Sequence, residues 1–289
     1  MGGNVLVLAQ HETPEESALA FASELARRLG ATLVIAEHAD ESLCPAGSRG
    51  HRDVALQDTA TYAHLEWLRQ GVSAVSPHAR TQVLRGEMPD VLSDALSSAD
   101  ILVAIDPEAG ADARRRSRML ALEAAWRAGV PALALPARWP RPDARWLLLA
   151  YDGSPACRRA FPLAAELARA SGWRIVLLQV IPVETARLPR RPEVTQILSQ
   201  LREAVLRELS VEAAALSREG IEVSARVMVG SPASSIVRAA GLLRAAMVVL
   251  GSRGRAFGVG KTPGSVAMAV FLRSPVPCLL VPPHRPLRR

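Results

Sequence analysis

The chain repeats itself at a period of about one domain, and that bounds its architecture more tightly than any other feature of the sequence. Leu6-Val-Leu-Ala9 recurs as Leu147-Leu-Leu-Ala150. Each is followed by a turn holding Thr13-Pro14 or Ser154-Pro155, then by an alanine-rich stretch with Glu24-Leu25-Ala26 or Glu166-Leu167-Ala168. A glycine closes that stretch in both copies, Gly30 and Gly172, where a helix C-terminus wants a left-handed residue. The β-rich runs Thr32 to Ala36 and Arg174 to Val180 come next. Gly86-Glu-Met-Pro89 is loosely matched by Gly230-Ser-Pro232, and Val130 to Pro136 by Val276 to Pro282. With 289 residues, two copies of ~100–200 residues each fill the chain.

Within a copy, apolar runs of four to six residues alternate with stretches at helical spacing, as in Ala160, Leu163, Ala164, Leu167 and Ala168. The first copy reads as strands at 4–9, 31–37, 79–85, 101–105 and 131–135, and as helices at 14–29, 52–70, 88–98 and 116–128. The second repeats this from 146, with a longer helix over about 192–219. Short continuous Val/Ile/Leu strands between helices specify a parallel sheet covered on both faces. The fold class is therefore α/β, with two doubly wound parallel-sheet domains over 1–137 and 145–289. Between them Pro136 to Arg145 holds three prolines, which forbid regular structure.

Composition excludes several classes. An apolar fraction of 49% rules out disorder. No apolar run approaches the ~18–20 residues of a spanning helix, and Val5 to Ala9 makes no exported leader, so a soluble, cytoplasmic protein is expected with no membrane partner. Three cysteines, Cys44, Cys157 and Cys278, form no CxxC pair, and no two histidines stand at i, i+4, so they read as packing thiols rather than metal ligands. The sequence pI is about 10.4. Its basic residues are 34 Arg and one Lys, with the 28 Asp and Glu interspersed. The clusters Arg114-Arg115-Arg116 and Arg187, Arg190, Arg191 lack aromatic neighbours for stacking, so no nucleic acid is expected as a partner.

An open parallel sheet receives ligands at the carboxyl ends of its strands. In the second copy two such ends are decorated. The first strand is followed by Tyr151-Asp152-Gly153-Ser154, the fourth by Gly251-Ser252-Arg253-Gly254 and, nine residues later, Gly264-Ser265-Val266 at a helix start. Glycines let the backbone approach a phosphate, and the helix start offers unpaired N–H groups. Ser265 is placed to cap that helix or to donate to a phosphate oxygen. Gly260-Lys261-Thr262 imitates a P-loop end, but Arg255 stands where that motif needs glycine, and the loop follows a fourth strand rather than a first.

These residues resemble the universal stress protein family in its two-domain form, over about 4–136 and 146–283. The specific element is its ATP-binding pattern, Gly-x2-Gly-x9-Gly-Ser/Thr, met by Gly251, Gly254, Gly264 and Ser265. The resemblance implies two five-stranded sheets of order 3-2-1-4-5, and ATP as cofactor, with or without Mg. It implies adenine near Asp152 and the backbone of Val180, ribose near Ala150 and Gly251, and phosphates running past Gly254 to Gly264, Ser265 and Val266. Leu250 would line the adenosine pocket. The first copy departs from the pattern. Ala104 to Val130 aligns with Leu250 to Val276 at a constant offset of 146, so Ile105, Glu108, Arg118 and Met119 replace Gly251, Gly254, Gly264 and Ser265. Gln10 or His11 replaces Asp152, according to where a one-residue gap falls. Asp106 and Glu108 would put carboxylates in the phosphate path, where like charges repel, and the first copy is expected to have lost the ATP site.

The function implied is an ATP-binding stress protein with a regulatory role, nucleotide being held by the second domain. The alternatives are a non-nucleotide interaction module with relic glycine loops, or a slow ATPase or adenylating enzyme on the related fold. No Ser/His/Asp or Cys/His set converges on the second site, so no catalytic residue is assigned and at most weak hydrolysis is expected. Both copies keep a proline-flanked final strand, Ala132 to Leu135 and Cys278 to Val281. Edge strands invite pairing, so an intramolecular pairing of the two domains is expected, with a homodimer of whole chains left open.

Overall fold

The structure is a computed structural model that describes residues 3–9, 16–39, 51–88, 90–139, 144–183, 191–252 and 262–283. The chain divides into two compact units near residue 140. The first holds β1 (Asn4–Ala9), α1 (Glu16–Arg28), β2 (Thr32–Ala39), α2 (His51–Gly71), β3 (Arg80–Arg85), α3 (Asp90–Ala95), β4 (Ile101–Ile105), α4 (Ala111–Ala128) and β5 (Ala132–Leu135). The second holds β6 (Trp146–Tyr151), α5 (Pro155–Arg158), α6 (Ala160–Ser171), β7 (Arg174–Pro182), α7 (Pro192–Ser217), β8 (Val223–Gly230), α8 (Pro232–Leu242), β9 (Met247–Gly251), α9 (Ser265–Arg273) and β10 (Cys278–Val281).

Each unit is a five-stranded, wholly parallel sheet. The orders are β3-β2-β1-β4-β5 and β8-β7-β6-β9-β10, which is 3-2-1-4-5 in each. All of β4 and β5 and most of β1 are buried, as are most of β6 and β9, which explains why these strands carry continuous rather than alternating apolar residues. Three helices end in the same way. Gly30, Gly129 and Gly172 take φ of 62°, 68° and 64°, and the next residue's N–H reaches back to Ala26, Ala125 and Ala168. Among the described residues no helix is long and apolar enough to cross a membrane.

Four details differ from the sequence-based expectation. The helix expected at 116–128 begins at Ala111, behind Gly110 at φ 95°, because Ala111-Asp112-Ala113 is a good first turn that the arginine run disguised. The helix of 88–98 ends at Ala95 and tightens into a 3₁₀ turn over Leu96–Ser98. The alanine-rich helix of the second copy is broken at Arg159 into α5 and α6. The repeat also slips by one residue. Val5 sits between Leu33 and Ile101, and Leu147 between Ile175 and Met247. With β4 set on β9 at the offset of 146, Val5 matches Leu147 and Ala9 matches Tyr151. Gln10 and His11, the two alternatives for the counterpart of Asp152, lie outside the described residues.

The charges are interspersed along the chain but unequal between the units. Residues 1–140 carry 18 Asp and Glu against 13 Lys and Arg, and residues 141–283 carry 10 against 19. The basic excess belongs to the second unit.

Candidate functional site

At the carboxyl end of β6 the chain must turn sharply. Gly153 takes φ 78°, and the Asp152 carboxylate accepts the Ser154 N–H at 2.9 Å, closing an Asx turn. Ser154 then caps α5, its Oγ accepting the Cys157 N–H at 3.1 Å. This first turn of helix is pressed against the end of β9. A Cβ on Gly251 would stand 2.6 Å from the Ala156 carbonyl oxygen and 2.7 Å from the Cys157 nitrogen. Gly251 is thus required by a neighbouring backbone of the same chain, where the sequence suggested close approach by a phosphate.

Beside this junction lies a cavity of about 420 Å³. Its lining includes Ala150 and Asp152 from the first strand end, Val180 from β7, Leu250 and Gly251 from β9, and Gly264, Ser265 and Val266 at the start of α9. Eight of the nine sequence-assigned positions therefore share one cavity, and the ninth, Gly254, lies outside the described residues, as do Arg253 and Lys261. Sequence reasoning missed Leu178 and Ile236, which supply further apolar wall. The signal for both was present: Leu178 stands two residues before Val180 on one strand face, and Ile236 lies one helical turn after Pro232, another lining residue.

Among the described residues no side chain caps the α9 terminus. Gly264, not Ser265, is the N-cap, and Ser265 caps nothing, being the first and exposed residue of the helix. Gly264 donates its N–H to the Ser252 carbonyl at 2.7 Å, which fastens the helix start to the end of β9. The N–H groups of the first helical residues have no carbonyl within the helix to meet. The buried Ser252 hydroxyl has no partner among the described residues.

Two groups near the cavity carry titratable protons and keep them. Cys157 donates its thiol to the Ala150 carbonyl at 3.0 Å, and burial pushes its pKa up to about 12. Tyr151 donates its hydroxyl to Glu212 at 2.8 Å, and burial pushes the phenol above its usual range. Glu212 also accepts from Arg158 at 2.7 Å. Neither thiol nor phenol is a nucleophile at neutral pH. No group of three or more His, Cys, Asp or Glu among the described residues could hold a metal ion.

The corresponding place in the first unit is filled. Arg118, in the position of Gly264, donates from Nε and Nη2 to both carboxylate oxygens of Asp106 at 2.7 and 2.6 Å. Asp106 stands in the position of Ser252, and the two side chains are only 1% and 5% exposed. The expectation that Asp106 and Glu108 repel a phosphate is therefore corrected. Asp106 is neutralised by its partner, and Glu108 is an exposed residue 3.6 Å from Arg138. Glu37, in the position of Gln179, is likewise engaged, with Oε2 2.9 Å from His64 Nδ1.

A parallel sheet of order 3-2-1-4-5 with a cavity at the carboxyl ends of its strands defines a doubly wound α/β protein. Comparison with known proteins narrows it. The model of the universal stress protein family matches residues 145–282. Over 136 residues the chain is 32% identical to the universal stress protein in QAH/OAS sulfhydrylase 3′ region of Thermus aquaticus, a match covering 47% of this chain and 96% of that protein. A universal stress protein from Archaeoglobus fulgidus DSM 4304 has a similar structure over 96% of both chains, with TM-score 0.67 and 17% identity. A functionally unknown protein from Pseudomonas aeruginosa PAO1 is similar over 97% of this chain and 92% of its own, with TM-score 0.63 and 18% identity. These two structures speak for the fold alone. The chain belongs to the universal stress protein family.

Proposed function

We propose that the second unit binds one adenine nucleotide, ATP in the first instance, and that the protein serves as a nucleotide-responsive regulator of the stress-protein type. The observation that carries this is the cavity of about 420 Å³ that joins an apolar wall to the N-terminus of a nine-residue helix. Its volume lies in the ~300–1,000 Å³ range of small-molecule sites. Val180, Leu250 and Ile236 suit the faces of a purine, and Asp152 together with the Val180 backbone supplies polar partners for its edge. Ala150 and the backbone at Gly251 would flank the ribose. Gly254, Gly264, Ser265 and Val266 would meet the phosphates, with main-chain N–H groups and the helix dipole favouring negative charge there. The same reading makes the first unit nucleotide-free.

Calorimetry with ATP, run with and without Mg, tests the proposal, and one site per chain is expected. Gly264→Val should abolish binding, since its side chain enters the phosphate path. Two sites, none at millimolar ATP, or wild-type affinity in Gly264→Val would overturn it. The chemistry of the lining supports holding rather than turning over the nucleotide, since its thiol and phenol keep their protons. Phosphate release is expected far below the ~10 s⁻¹ typical of enzymes. The pairing of strands 132–135 and 278–281 belongs to the same proposal. A cysteine cross-link between them should form within one chain, and one that forms only between chains would refute the pairing.

A further inference from the structure

The second unit carries another cavity, of about 460 Å³, walled by β6, β7, β8, α7 and α8. Its floor is aliphatic, made by the buried Leu148, Val176 and Leu178. Higher on its walls stand Leu206 of α7 and Leu242 of α8, large apolar side chains that are 37% and 77% exposed. Two guanidinium groups join them, Arg202 of α7 and Arg226 of β8, both exposed. Neither has an acidic partner among the described residues, whereas nearby arginines do: Arg158 pairs with Glu212 at 2.7 Å and Arg174 with Glu222 at 3.0 Å.

We propose that this groove binds an amphipathic organic anion, a single-chain carboxylate of the fatty-acid class. The hydrocarbon would lie on the aliphatic floor, where leaving water is favourable, and the carboxylate would meet Arg202 and Arg226. Guanidinium forks match a carboxylate in shape and charge, and the net positive balance of residues 141–283 draws anions to this half of the chain. The volume fits a small molecule. A protein partner would need about 800 Å² of matching surface on each side, far more than this concavity offers. The groove shares only Leu178 with the cavity assigned to nucleotide, and the inference does not rest on nucleotide binding.

The test is calorimetry of the full chain with sodium dodecanoate, alongside dodecanol. One saturable dodecanoate site is expected, with dodecanol at least tenfold weaker. Arg202→Gln with Arg226→Gln should weaken dodecanoate at least tenfold and leave dodecanol unchanged. Ala239→Phe, which fills the groove, should abolish both. Should Ala239→Phe lower the thermal midpoint, Leu206→Glu on the exposed wall serves instead, since its carboxylate opposes that of the ligand. No saturable binding at millimolar dodecanoate would overturn the proposal, as would equal binding of acid and alcohol or undiminished binding in the filled groove. Self-association that Leu206→Glu abolishes, without dodecanoate binding, would make the groove a contact between copies and overturn it equally.

Discussion

The first unit joins β4 to α4 with five residues, 106–110, while the second joins β9 to α9 with thirteen, 252–264. In aligned positions, α4 starts eight residues before α9, about two turns of helix. Those turns carry Arg118 to Asp106. One topology can thus start this helix at two different points, and the choice lies in a single connection. The sheet orders are the same in both units, so the sheet does not decide whether a site exists.

Breaking the Arg118–Asp106 pair gives the largest expected effect. Arg118→Ala leaves the Asp106 carboxylate buried and unpaired, which should cost about 3–5 kcal/mol in urea unfolding. Replacing the pair together, Arg118→Met with Asp106→Leu, should recover most of that. A single-mutant cost below about 1 kcal/mol would show that the pair is not buried as described. In the second unit, Gly251→Ala should cost about 1–3 kcal/mol, because the new methyl meets the α5 backbone. Lost ATP binding with unchanged stability would instead make Gly251 a ligand glycine.

Cys157 gives a pH dependence that the first unit lacks at this site. Its folded pKa of about 12 lies above the ordinary thiol value of 9.0, so between those pH values the unfolded chain loses a proton that the folded one keeps. Stability should be full below pH 9 and fall by about 1.4 kcal/mol per pH unit above it, and Cys157→Ala should flatten that slope. The smallest effect compares two helices. Glu24 meets Arg27 and Arg28 at 2.6 Å, and hydrogen bonds from Arg27 first lower its pKa to about 2. Its contribution is present above pH 4.5 and lost as pH falls through about 2. Glu24→Gln should cost about 0.5 kcal/mol at pH 7. Its counterpart, Glu166→Gln, has no ion pair to lose among the described residues, and equal costs would erase this distinction.

Fold class was legible in the periodicity and the glycine turns in their spacing, whereas strand order and most of the cavity-lining positions followed from the family resemblance that the spacing carries. The register of the repeat was not legible. Strands buried on both faces are apolar at every position, so Leu6-Val-Leu-Ala9 and Val5-Leu6-Val-Leu8 fit Leu147 to Ala150 equally well. The start of α4 was hidden by three arginines that read as surface charge. The partner of Asp106 was hidden because Arg118 stood among them, and sequence alone does not say which of four neighbouring arginines turns inward.

The buried Arg118–Asp106 pair limits which substitutions this half of the chain can accept. Losing Arg118 alone leaves the buried Asp106 carboxylate without the guanidinium that neutralises it, so the two positions tolerate change together far better than that change singly. The pair therefore behaves as one unit of substitution, whereas an exposed neighbour such as Glu108 can vary at little cost.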